Sequence, residues 1–123
     1  MNALSQAQRA YGATSVATRT DRSVEYEAVA RITSRLRRAS NPGAEDFNAL
    51  AEALHDNQKL WTIFATDVAD DANPLPNELK ARVFYLAEFT SQHTRKILKR
   101  EASVTPLLDI NTAVLRGLGK GAE

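Results

Sequence analysis

Apolar residues in this chain recur every three or four positions over long stretches, and no stretch alternates with period two. That spacing predicts helices and no sheet. Proline and glycine divide the pattern into segments. Asn2 suits the cap of a short helix over residues 3–11, with Gly12 as its stop. Residues 13–20 are small and polar and read as a flexible connector. Asp21 then opens a second helix in which Val24, Ala28, Ile32, Leu36 and Ala39 share a face that Val29 widens. Ser40, Asn41, Pro42 and Gly43 end it.

The third segment starts near Glu45, with acids in its first turn, where the helix dipole favours them. Phe47, Leu50, Leu54, Trp61, Phe64 and Val68 form its stripe, which passes through the polar Asn57. Residues 55–57 could mark a break, with Asp56 capping a new helix. The phase of the stripe survives across Asn57, which favours one continuous helix to about residue 70. Asn73, Pro74, Leu75 and Pro76 make a turn, and Pro76 suits the first turn of a fourth helix, where its missing N–H has no helical partner. Leu79, Val83, Leu86, Thr90, His93 and Ile97 share one face of that helix, and Arg95, Lys96, Lys99 and Arg100 crowd its end. Thr105 and Pro106 read as cap and first position of a fifth helix. Its stripe is Leu107, Ile110, Val114 and Leu118, and Gly117 and Gly119 end it. The expected fold is all-α: one domain over residues 1–123, a small bundle of four or five helices, with residues 119–123 as a loose tail.

Composition changes this picture little. The 123 residues suffice for one core, and 43% hydrophobic with 25% charged is ordinary for a globular domain. The absence of cysteine excludes disulfides and thiolate metal sites and fits a reducing, cytoplasmic setting. No apolar run is long enough to span a membrane, and the first residues lack the basic head and apolar stretch of a signal peptide. Charge is informative in its distribution. The formal net charge is +1, yet residues 41–71 are strongly acidic and both flanks are basic. Pairing between helices accounts for this, and so does an acidic surface offered to a partner.

Candidate chemistry is sparse. His55 and His93 would need carboxylates from separate helices to hold a metal, and Asp56 lies about 100° around a helix from His55. His93 on the apolar face reads as a core-edge residue with one hydrogen bond. No nucleophile motif frames a Ser or Thr, and no Gly-rich phosphate loop is present. Neither a catalytic role nor a cofactor is expected. The clusters Arg31, Arg35, Arg37, Arg38 and Arg95, Lys96, Lys99, Arg100 could contact phosphates, but a nucleic-acid binder is usually basic over its whole domain. The aromatics are more telling. Phe47, Trp61, Phe64, Phe84, Tyr85 and Phe89 fall within one third of the chain, and the last three lie beside or beyond the stripe of their helix. Burial on most sides explains them, and so does a groove for a partner's amphipathic helix. Asn57 and Asn111 sit in apolar stripes, where a satisfied hydrogen-bond network or partner recognition would account for them.

Ala53, Leu54, Asn57, Leu60, Trp61, Thr62, Asp67, Asn73, Pro74, Leu75, Pro76, Leu107, Ile110, Asn111, Gly117 and Leu118, in this order and spacing, resemble the FlaF family of flagellar biosynthesis regulators. Tyr11, Arg22 and Glu25 match more loosely. The resemblance implies a small helical cytoplasmic protein that is not an enzyme. It implies action in flagellin production and secretion as a chaperone-like factor, together with FlbT, a regulator that represses flagellin synthesis through its mRNA. Expected partners are flagellin and FlbT, without a membrane and without direct nucleic-acid contact. On this reading Leu60, Trp61, Phe84, Tyr85 and Phe89 supply apolar contact to a flagellin segment, and His55, Asp56 and Asn57 its polar edge. Trp61 is also a candidate for the core. The alternatives are a post-transcriptional regulator acting on flagellin mRNA, directly or through FlbT, and a helical oligomerisation module whose aromatic face pairs with itself.

Overall fold

A computed structural model describes the backbone of residues 17–41, 43 and 46–122, and side chains from residue 25 to residue 117 within that set. The helix expected over residues 3–11 and most of the connector after it lie outside the described residues. Four helices follow one another: α1 (Ala17–Ala39), α2 (Phe47–Ala69), α3 (Asn77–Leu98) and α4 (Thr105–Ala122). There is no strand among the described residues, and the all-α bundle expected from the spacing is the fold.

Several helix boundaries differ from those the spacing predicts, and local turn chemistry accounts for them. α1 begins at Ala17, inside the stretch read as a connector, because nothing between Gly12 and Asp21 breaks a helix. α2 begins at Phe47: the Asp46 carboxylate caps it, accepting from the Ala49 N–H at 3.0 Å, so this acid precedes the first turn and does not belong to it. Asn57 causes no break, and α2 runs unbroken to Ala69. The turn to α3 is held by two side-chain acceptors, Asp70 for the Ala72 N–H and Asn73 for the Leu75 N–H, each at 2.9 Å. Pro76 occupies the cap position just ahead of α3. α4 continues through Gly117 and Gly119 to Ala122, past the expected stop. Glycine lowers helix propensity but forbids nothing, and these two stand in helix with no proline after them.

The short connections make successive helices antiparallel. α1 packs along α2 and α4, and α2 along α3, whereas α3 and α4 meet over only a few residues. The bundle therefore has two unlike ends. The sealed end holds the C-termini of α1 and α3 and the N-termini of α2 and α4. Its core is Leu36, Ala53, Leu54, Ile97, Val104 and Leu107, with Ile32, Leu50, Phe89, Ala102 and Leu108 packed around it. The open end holds the opposite termini, and Val68 is its one fully buried large apolar side chain among the described residues. Closure of α3 at the sealed end follows from its cap. The Arg100 N–H donates to Ile97 O and the Glu101 N–H to Lys96 O, both at 2.9 Å, with Arg100 at φ 62. This is a Schellman cap with arginine where glycine is usual. The Arg100 guanidinium lies 4.9 Å from the centre of the Phe47 ring, tying the end of α3 to the start of α2.

Candidate functional site

Three polar and aromatic side chains bridge the diagonal of the bundle. α2 and α4 do not touch through their backbones. Trp61 Nε1 donates to Asn111 Oδ1 at 3.0 Å, and Asn111 Nδ2 donates to Asn57 Oδ1 at 2.8 Å. The indole can only donate, so it fixes the orientation of Asn111, which in turn fixes that of Asn57. Trp61 is 2% exposed, and Asn57 and Asn111 are fully enclosed. The chain of bonds leaves Asn57 Nδ2 without a partner, and the buried Thr90 hydroxyl also lacks one. Both asparagines act as structural keys that set α4 against α2. Trp61 is core, with Phe64 edge-on to its ring at 5.4 Å.

The residues expected to form one partner surface are divided among several places. Asn57, Leu60 and Trp61 are buried and present nothing to a partner in this state. Their positions on the apolar stripe of α2 dictated this, because that stripe meets three other helices. His55 and Asp56 lie on the α1–α2 face, where Asp56 accepts from Arg35 at 2.7 Å and His55 is exposed beside a shallow hollow. This pair joins the acidic middle of the chain to its basic flank, as pairing between helices predicts. Phe89 is half-buried against the sealed core and stacks on His93 at 5.3 Å. His93 Nε2 donates one bond, to Ser103 O at 2.8 Å, as expected of a core-edge residue.

Phe84 and Tyr85 are the exceptions, at 44% and 67% exposed. At 100° per residue they point more than about 100° away from the direction shared by Thr90 and Ile97, so they stand on the outward side of α3. Sequence reasoning missed two neighbours, Leu75 and Leu79, which are about 40% exposed. Leu79 lies on the same face as Val83, Leu86, Thr90 and Ile97, and the stripe alone does not single it out as exposed. That face is buried at Thr90 and Ile97, half-buried at Val83 and Leu86 and exposed at Leu79, in a helix that meets α4 over only a few residues. No local sequence signal carries this information. The site that emerges is the turn before α3 and the N-terminal half of that helix, where Leu75, Leu79, Phe84 and Tyr85 are exposed on different sides and the exposed acids Asp71 and Glu78 lie close in sequence. Among the described residues no cluster of His and carboxylates could hold a metal, and no helix is long and apolar enough to cross a membrane.

Residues 7–118 match the profile of a family described as the flagellar protein FlaF. No curated protein and no solved structure matches the chain. The match runs from before α1 almost to the end of α4, so it spans the whole bundle, including the Trp61–Asn111–Asn57 key and the exposed N-terminal half of α3. The chain belongs to the FlaF family of flagellar proteins.

Proposed function

We propose that this chain is a non-enzymatic, cytoplasmic binding module that captures flagellin as a chaperone-like factor, supporting flagellin synthesis and secretion together with FlbT. Membership of a flagellar family supports the flagellar context. The observation that carries the binding role is the exposure of four large apolar side chains, Leu75 in the turn before α3 and Leu79, Phe84 and Tyr85 in its N-terminal half. A chaperone must cover apolar segments reversibly. Burying such apolar surface contributes roughly 25 cal/mol per Å², and part of that offsets the ordering of the captured segment, which leaves a releasable complex. The test is a pull-down of purified flagellin, with and without FlbT. Capture at micromolar concentration, weakened in Phe84→Ala and Tyr85→Ala with the circular dichroism unchanged, supports the reading. No capture under either condition ends it.

A second reading has its own observation. Antiparallel packing brings the basic C-terminus of α1 (Arg37, Arg38) and that of α3 (Arg95, Lys96, Lys99, Arg100) to the same end of the bundle. All six are exposed. Such a cluster suits RNA phosphates and would let the protein contact flagellin mRNA itself. Salt-sensitive binding of leader RNA, lost when Lys96, Lys99 and Arg100 are neutralised, would support it. No binding at low salt removes it, leaving control through FlbT.

A further inference from the structure

One flank of α3 carries a self-complementary pattern. Phe84, Ala87, Ser91 and Leu98 follow steps of three, four and seven, so at 100° per residue they fall within about 60° of one another. Phe84 and Leu98 are exposed, and the small Ala87 and Ser91 between them are half-buried. Glu88 and Arg95 are exposed and border this stripe on the same side, about 40–60° round from Ser91. Ser91 is the midpoint. Phe84 lies seven residues before it and Leu98 seven after, Glu88 three before and Arg95 four after.

We propose that this flank is the interface of an antiparallel homodimer, with its two-fold axis beside Ser91. A second copy laid antiparallel on α3 sets Phe84 against its Leu98 and Glu88 against its Arg95. Each contact occurs twice, because the same surface serves both copies. Lys80, on the same stripe, comes level with Glu101 of the second copy, also an opposite charge. The small side chains at the centre let the two helices approach closely. In a parallel pair Glu88 would face Glu88 and Arg95 would face Arg95, so charge selects the antiparallel arrangement. The contact is one helix wide, at the small end of specific interfaces, so the dimer is weak and exchanges with monomer. Phe84 also belongs to the surface proposed for flagellin, so a captured segment and a second copy would compete for it. That consequence rests on the flagellin-binding reading, while the pairing itself does not.

Sedimentation equilibrium of the full-length protein, from micromolar to millimolar concentration, tests the pairing. A monomer–dimer equilibrium is expected. Glu88→Arg and Arg95→Glu each place like charges at both symmetric contacts and should weaken dimerisation by about tenfold or more. Combining Glu88→Arg with Arg95→Glu restores opposite charges and should recover the parent's dimer strength. Both side chains are exposed, so the helical circular dichroism of all three variants should match the parent. A protein that stays monomeric over the whole range overturns the proposal. So does a dimer that the single reversals leave unchanged, or one that the combined exchange fails to restore. Because no flagellin is present, failure here leaves the partner reading standing, and failure of flagellin capture leaves this result standing.

Discussion

The two ends of this bundle are built from the same four helices with the same spacing of apolar residues, yet one is sealed and the other is not. At the sealed end Leu36, Leu54 and Leu107 have no exposed surface, and Arg100 over Phe47 closes the rim. At the open end Leu79 keeps 41% of its surface in water although it shares a helical face with Ile97. The difference comes from a single missing partner. α3 has α2 along its length but meets α4 only over a few residues. An amphipathic face is thus a capacity for burial, and tertiary geometry decides how much of it is used. The unused part stays exposed to water.

The strongest way to break this comparison is by truncation. Leu54→Ala or Leu107→Ala should cost about 2–5 kcal/mol in urea unfolding, because a large side chain leaves a cavity in packed surroundings. Leu79→Ala, on the same kind of stripe, should cost under about 1 kcal/mol. Equal losses would mean that the open end is as well packed as the sealed one. Next in size is the diagonal key. Asn111→Ala strands the Trp61 N–H and the Asn57 carbonyl, each a buried group whose orphaning costs about 1–3 kcal/mol. We expect a loss of about 2–5 kcal/mol with a shift in Trp61 fluorescence. Stability within 0.5 kcal/mol or so of the parent would show that the network sets nothing.

Smaller effects sharpen the picture. Thr90→Val replaces a buried hydroxyl that has no partner and should leave stability unchanged or raise it by about 1 kcal/mol. Gly117→Ala, where an added Cβ meets nothing within 4 Å, should stabilise α4 by up to about 1 kcal/mol through helix propensity. A loss at Gly117 would show that something packs closely there.

The sequence made much of this legible. Spacing placed all four helices, the stripe phase carried α2 correctly through Asn57, and Asn57 and Asn111 were recognisable as network members because polar groups on apolar stripes need partners. What could not be read follows from physics that is not local. Trp61 and Phe84 are both aromatic and lie in the same third of the chain, yet one is core and the other surface. Their fates depend on which helices lie opposite, and that is set by the packing of all four. The exposure of Leu79 is hidden from the sequence for the same reason. Trp61, Phe84 and Tyr85 share a stretch of the sequence but not a surface, because Trp61 faces the interior and the other two face water.

The proposed partner site is the open, apolar half of α3. Amide hydrogen exchange of the full-length protein, with and without purified flagellin, tests it most directly. The account predicts that flagellin slows exchange across residues 77–88 and leaves residues 95–101 unchanged. Slowing confined to 95–101, or no change at any residue, would contradict it.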